Sequence, residues 1–428
     1  MAIDVGAGAG ELTGGPERSI VPDLEALRRD GWRPVPFRQF VLKIHSRCNL
    51  ACDYCYMYEM ADQGWRSRPL RMTPAVIDRA AARIAEHTRA HGLDRVQLVL
   101  HGGEPLLAGP DLVRRAVTSV RTACGPGVAV DARVQTNGVL LDETFLRLFT
   151  ELDVRVGVSL DGDAAGHDLH RRHADGRGSH GEVGEGLRRL TAPAYRDLFA
   201  GLLCTIDLRN DPVATYEALV SFEPPVVDFL LPHGTWDTPP PGRRPDDLAT
   251  PYGDWLVQVF DRWWHNPVRE TRVRLFSEII RLLFGRPSRT EAVGLSPVAL
   301  VVVETDGSIE QVDTLKAAYD GAAATGLHID RDDFGTVLTL PSVVTRQIGE
   351  RALSDTCRAC PIHKVCGGGL YAHRYRAGSG FANPSVYCRD LFRLISHIRE
   401  AVSRDLRRHR EAANKDTTAS GRGTDETS

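Results

Sequence analysis

Lysine is nearly missing from this chain. Of 53 basic residues only Lys43, Lys316, Lys364 and Lys415 are lysine. Arginine takes the remaining basic positions, as a GC-rich coding bias would produce, and no mechanism follows from it. Acidic and basic residues almost cancel, for a net charge of −3, and no long basic run stands out. Nucleic acid is therefore not an expected partner. No apolar stretch approaches the ~20 residues that span a bilayer, so no membrane association is expected. The opening MAIDVGAGAGELTGG lacks the basic and apolar regions of a secretion signal, which points to the cytoplasm. No internal repeat is visible. At 428 residues, 42% hydrophobic and 25% charged, the composition is globular and suits two or three domains.

Nine cysteines are present, and their distribution is informative. Cys48, Cys52 and Cys55 form one group, Cys357, Cys360, Cys366 and Cys388 a second, and Cys124 and Cys204 stand alone. In a reducing compartment such clustering favours metal binding over disulfides.

Apolar runs rich in Val, Leu and Ile recur at 40–44, 96–100, 128–134, 154–160, 202–206 and 226–231. Helical patterns lie between them, at 74–91 and 112–124, the first with Thr73 as N-cap before Pro74. Strands without clean polar alternation, separated by helices, predict an α/β fold with a parallel sheet buried on both faces. Six such units close only part of an eight-unit barrel. The expected organisation is a flexible arm (1–36), a partial (β/α)6 barrel (37–235), and a linker with bridging helices (236–297). A small loop-rich domain (298–391), a C-terminal helix (392–412) and a disordered tail (413–428) follow.

The segment Cys48-Asn-Leu-Ala-Cys52-Asp-Tyr-Cys55 follows directly on the first strand. Three thiolates on one short loop can hold three corners of a cubane and leave one iron open; by spacing alone a zinc site is the rival. Later strands end in Leu100-His-Gly-Gly-Glu-Pro105, Gln135-Thr-Asn-Gly138 and Ser159-Leu-Asp-Gly162. In α/β barrels the chemistry gathers at these carboxyl ends. His167, His170 and His173 share a helical spacing, but a surface loop is the better reading.

Taken together, these motifs resemble the radical S-adenosylmethionine superfamily over residues 39–231. The resemblance implies that Cys48, Cys52 and Cys55 ligate a [4Fe–4S] cluster whose open iron chelates S-adenosylmethionine, with Tyr54 beside the last ligand. Gly102, Gly103 and Glu104 are implied to hold the methionyl amine. Ser159 and Asn137 contact its carboxylate or ribose, and Arg171 is a further carboxylate partner. One-electron cleavage then yields a 5′-deoxyadenosyl radical that abstracts hydrogen from substrate.

The spacing Cys357-x2-Cys360-x5-Cys366, with Cys388 beyond, supplies four thiolates, for which a zinc ribbon is again the rival. It resembles the SPASM extension of peptide-modifying radical enzymes, which in full holds two auxiliary clusters. Here Leu370 and Val312 stand where that family often carries cysteine, so ligands for one auxiliary [4Fe–4S] cluster are expected. Asp313 occupies the place of an aspartate that relatives use as a base, and is the candidate catalytic residue. Cys204 could point into the barrel, but simple packing is the better reading.

Finer features resemble the FxsB-type branch: Phe37-Arg-Gln-Phe-Val-Leu-Lys43, Tyr54-Cys55-Tyr56-Met57-Tyr58-Glu59, the cysteine-free turn 304–313, and Cys366-Gly-Gly-Gly369. That branch acts on ribosomally made precursor peptides, and several members close a three-residue cyclophane between an aromatic ring carbon and a β-carbon. The implied partners are the precursor peptide, an electron donor such as flavodoxin or ferredoxin, and a separate leader-recognition protein. The last follows because 36 residues before the first strand are too few for a fused recognition domain. Thioether formation, epimerisation, sulfatase-type oxidation to formylglycine, a small-molecule substrate and a nonenzymatic zinc scaffold stay open at this point.

Overall fold

A computed structural model describes residues 22–244 and 247–420. The expected arm lies outside the described residues over 1–21, as does the expected tail over 421–428. Within the arm, Leu24–Arg29 forms a short helix because the Asp23 carboxylate accepts from Glu25 N and Ala26 N.

Six parallel strands run in chain order: β1 Gln39–His45, β2 Arg95–Gly102, β3 Ala129–Thr136, β4 Val154–Ser159, β5 Phe199–Thr205 and β6 Val226–Leu230. They correspond to the six apolar runs. Four more strands extend this sheet: β7 Arg272–Val273 on β6, then β8 Leu300–Val303, β9 Ser308–Glu310 and β10 Ala324–His328 on the other edge. β8 pairs in parallel with β1, Phe40 opposite Val301, and β9 and β10 are antiparallel. The C-terminal unit is therefore continuous with the barrel sheet. The reason is local: Val301, Val302 and Val303 are all buried and fill the flank of β1.

One expectation needs correction. β1 is buried along nearly its whole length, but β2 and β3 alternate. Val96, Leu98, Leu100, Ala132 and Val134 are buried in the main core, while Gln97, His101, Asp131 and Gln135 are half-buried and line cavities. The inward face is thus polar and open rather than packed, as a barrel with a working lumen requires.

On the outer face, the helix Pro74–Ala90 is capped by Thr73, whose hydroxyl accepts from Val76 N. Its stripe Ile77, Ala80, Ala81 and Ile84 meets Val113, Ala116, Val117 and Val120 of the helix Pro110–Cys124. Each fully buried Ile or Val there contributes about 1.5–3 kcal/mol.

The last helix runs Cys388–Ser420, starting before residue 392 and continuing past 412. Residues 413–420 therefore extend the helix rather than joining a disordered tail. Its early side chains Leu391, Leu394, Ile395 and Ile398 are buried. Asp390 caps the neighbouring helix Pro251–His265 by accepting from Tyr252 N and Gly253 N, both at 3.0 Å. No helix among the described residues is long and apolar enough to cross a membrane.

Candidate active site

The loop after β1 is pressed onto the end of β2. A Cβ on Gly103 would stand 1.8 Å from Tyr58 Oη and 2.5 Å from the Arg47 carbonyl carbon, and one on Gly102 (φ 149°) 2.1 Å from His45 O. Only glycine permits that approach. It brings Cys48, Cys52 and Cys55 to the wall of one cavity of about 180 Å³, together with Gly102, Gly103, Asn137, Ser159 and Arg171. Strand ends far apart in sequence thus converge, as the motif order implied.

The three thiols are not disulfide-bonded. Burial raises all three, Cys48 to about 12 and Cys52 to about 11; Cys52 and Cys55 add to the rise of Cys48, and Cys55 to that of Cys52. Without a cation they stay protonated; a bound metal would deprotonate them. Leu50 N donates to Cys48 Sγ at 3.4 Å, Asn137 Nδ2 at 3.6 Å, and Met57 N and Tyr58 N donate to Cys55. Such N–H···S bonds stabilise ligating thiolates.

Arg171 is nine-tenths buried. Its Nη1 donates to Tyr54 Oη at 2.9 Å, while its Nε has no partner. An unpaired guanidinium N–H beside three cysteines fits a carboxylate ligand. Tyr54 in turn donates to Asp161, which also accepts from Thr205 N at 2.9 Å. Ser159 Oγ accepts from Gln135 Nε2 at 3.0 Å. Gly157 makes room for that glutamine, since a Cβ there would stand 2.4 Å from Gln135 Oε1.

Glu104 is placed differently from its neighbours. It is fully buried and does not line the cavity. Its carboxylate accepts from Leu106 N (3.0 Å), Thr136 Oγ1 (2.7 Å) and Asn137 N (2.8 Å). Burial raises its pKa and these bonds lower it. It braces the end of β3 beneath the glycines.

The histidine triplet has three separate partners. His167 is fully buried, not on the surface, accepting from Asp161 N at 3.2 Å and meeting Ser179 Oγ at 3.0 Å. Burial lowers it to about 2, so it is a neutral brace for Asp161. His170 lies between Asp53 and Asp207, and His173 pairs with Glu182. Cys204 packs into the core, while its neighbours Leu203 and Thr205 line the cavity; the period of two sends the thiol outward. Cys124 is half-buried at a helix end.

Asp313 is 6% exposed, 3.0 Å from Lys43 Nζ and 3.9 Å from Lys316 Nζ. Its neighbours Val312 and Thr314, not Asp313, line the adjoining cavity. Glu304 and Glu310 complete the cluster, Lys316 Nζ lying 2.8 and 2.7 Å from them. Burial and then Glu304 raise Glu310 to about 7. Two of the four lysines of the chain are thus spent inside one buried ionic group.

In the C-terminal unit, Cys366 is raised to about 12 by burial and then by Cys388; Cys388, at about 11, is raised by burial and then by Cys357 and Cys360. The four thiols therefore face one another. Among the described residues no three cysteine sulfurs lie within 4.8 Å of each other. Val312 and Leu370 lie on one cavity wall and offer no ligand.

Tyr56, His101, Gln135 and His233 also line the cysteine cavity; the first three fall inside motifs quoted from the sequence but were given no role there. The alternation in β2 and β3 could have found His101 and Gln135; nothing local marks His233.

Residues 42–202 match the sequence model of the radical SAM superfamily. The chain is 26% identical over 386 residues to a serine-type anaerobic sulfatase-maturating enzyme of Klebsiella aerogenes, covering 87% of this chain and 88% of that protein. A cysteine-type counterpart of Clostridium novyi is 22% identical over 363 residues, covering 80% and 90%. Among solved structures, native anSMEcpe with bound AdoMet and Cp18Cys peptide superposes with a TM-score of 0.72 at 19% identity, over 86% of this chain and 99% of that one. SuiB of Streptococcus suis bound to precursor peptide SuiA gives 0.56 at 11% identity, over 85% and 78%. These likenesses are in fold.

Proposed function

We propose that this chain, whose residues 42–202 match the radical SAM superfamily model, is a radical SAM enzyme that matures a ribosomally made peptide. The product carries a carbon–carbon bond between an aromatic ring carbon and a side-chain β-carbon, closing a three-residue cyclophane. The cofactors are a [4Fe–4S] cluster with S-adenosylmethionine and one auxiliary [4Fe–4S] cluster. When bound, they supply a 5′-deoxyadenosyl radical and one-electron chemistry.

The residues divide the remaining work. Cys48, Cys52 and Cys55 hold the first centre, and Cys357, Cys360, Cys366 and Cys388 the second. The free Nε of Arg171 takes the carboxylate of S-adenosylmethionine. Gly102 and Gly103 leave room for its amine, Glu104 holds Asn137 N at the end of β3, and Asn137 and Ser159 present polar atoms on the same wall. Lys43 neutralises Asp313, which the sequence offers as proton acceptor but which stands behind the cavity wall between Val312 and Thr314. An electron donor such as flavodoxin or ferredoxin and a separate leader-recognition protein complete the proposed set.

One observation carries the peptide reading. The cysteine cavity shares Tyr56, Leu230, Leu231 and His233 with a second cavity of about 750 Å³ between barrel and C-terminal unit. A substrate of several residues can enter there while the reacting side chain sits at the cysteines. The peptides named with anSMEcpe and SuiB support the same class. The single auxiliary ligand set, with Val312 and Leu370 apolar, supports cross-linking over sulfatase-type oxidation. The identity to sulfatase-maturating enzymes favours that oxidation as the second reading.

Anaerobically reconstituted protein, incubated with its precursor peptide, should remove two hydrogens (about 2 Da). Tandem mass spectrometry should show no backbone fragments inside a three-residue ring. An aldehyde on a serine or cysteine of a sulfatase peptide would establish the second reading instead. Full cross-linking by Asp313→Asn would remove Asp313 from the base role.

A further inference from the structure

His233 is the residue at which three cavities meet. It follows β6 and lines the cysteine cavity, the 750 Å³ lateral cavity and an outer cavity of about 950 Å³. Its Nδ1 lies 3.3 Å from Nε2 of His373, which is 2% exposed and lines the lateral cavity but not the cysteine cavity. The pair is held on both sides. The Tyr56 ring stands 4.8 Å from His233, edge to face, and the Tyr387 ring 5.0 Å from His373. Tyr387 donates to Pro232 O at 2.6 Å, and Val386 N donates to His373 O at 2.8 Å, fixing the backbone at both imidazoles.

No ion pair or carboxylate is found at either ring among the described residues. Burial alone lowers His233 to about 4; for His373 burial leads and His233 adds to it. Both rings are therefore neutral near pH 7, and the 3.3 Å contact is one imidazole N–H donating to one imidazole lone pair. With the N–H on His233 Nδ1, its Nε2 lone pair is free.

From this geometry we propose that His233 and His373 form a proton relay that carries the substrate's released proton from the cysteine cavity into the lateral cavity. The inference rests on the oxidative peptide chemistry proposed above. Loss of two hydrogens in cross-linking sends one away as an atom, to the adenosyl carbon. After the new C–C bond forms, the ring carbon's C–H bond breaks. Its electron passes to an acceptor of the iron–sulfur class, and its proton goes to His233 Nε2. The proton on Nδ1 then moves to His373 Nε2, and His373 releases one to water in the lateral cavity. The two imidazoles end neutral with their tautomers exchanged, to be reset through water once product leaves, and no water need enter the closed reaction cavity during the step. Asp313 does not line that cavity, so the first acceptor is His233.

The test compares reconstituted wild type with His233→Gln and His373→Gln, using precursor peptide deuterated at the reacting β-carbon. In both histidine variants deuterium should still reach 5′-deoxyadenosine, while the ratio of 5′-deoxyadenosine to product rises on the order of ten-fold or more, as loss of a positioned base produces. Free imidazole should restore His233→Gln. In 15N-histidine-labelled holoprotein, His233→Gln should shift the His373 ring nitrogens. Wild-type coupling in both variants would overturn the relay. So would a parallel fall of 5′-deoxyadenosine and product without imidazole rescue, because that is the mark of a structural role. If wild-type enzyme moves no deuterium from the peptide, the peptide reading itself fails, and that result is distinct from either.

Discussion

Lys43→Met tests whether the buried ionic group holds the site together. Lys43 is 1% exposed, with its Nζ 3.0 Å from Asp313, 3.8 Å from Glu304 and 3.3 Å from Met57 Sδ. With Lys316 and Arg68 it faces Glu304, Glu310, Asp306 and Asp313. Three cations thus meet four carboxyls, and Glu310, raised to about 7, carries much of the remaining proton. Methionine matches the lysine stem, so the packing loss is small. What remains is an uncompensated buried carboxylate, costing about 3–5 kcal/mol. With an unfolding entropy of roughly 2.1 cal/mol/K per residue, Tm should fall by about 3–6 °C. Anaerobic calorimetry of the cluster-loaded protein measures this. Adding Asp313→Asn should recover part of the loss, giving a coupling of about 1–3 kcal/mol in a double-mutant cycle. A Lys43→Met protein as stable as wild type would refute the reasoning, because Lys316 would then suffice alone.

Three further outcomes follow from the geometry. Arg171→Lys keeps the charge but loses the Nε donor, so S-adenosylmethionine should bind about 10–100-fold more weakly by equilibrium dialysis; unchanged affinity would remove Arg171 from the site. Gly103→Ala forces the cysteine loop off β2, since the new Cβ meets Arg47 backbone at 2.5 Å. Iron and sulfide per chain should then drop by about four each while the auxiliary centre stays. Glu310 has a folded pKa near 7 against 4.5 unfolded, so between these values the native state binds the extra proton. Its contribution to stability is therefore present at low pH and lost as pH rises through about 7. Glu310→Gln should flatten that fall in urea titrations from pH 5 to 8, and an unchanged slope would assign it elsewhere.

The thiols that meet at the cavity were legible because they sit in short local motifs. Cysteine spacing within eight residues, and small polar residues ending each apolar run, are set by chain chemistry and survive any packing. The strand count of the barrel was legible for the same reason, since each of β1 to β6 is one apolar run. Direction within those motifs was not. Glu104 reads like a ligand beside two glycines, but Thr136 and Asn137, brought up by β3, take its carboxylate. His167 reads as a loop residue, yet the turn after β4 buries it against Asp161.

The residues themselves thus determined the chemistry: seven grouped thiols, the glycines that let a loop lie on a strand, and an alternation that turns Gln135 inward and Cys204 outward. Only the tertiary structure decided which side chains reach the reacting space. β8 joins the barrel sheet beside β1, and this carries Asp313 and Lys316 to Lys43, behind the wall rather than on it. His233 and His373, 140 positions apart, meet at 3.3 Å because the C-terminal unit closes the open flank of the barrel. Contacts between residues so far apart depend on how sheet and helices pack, and no local periodicity records that.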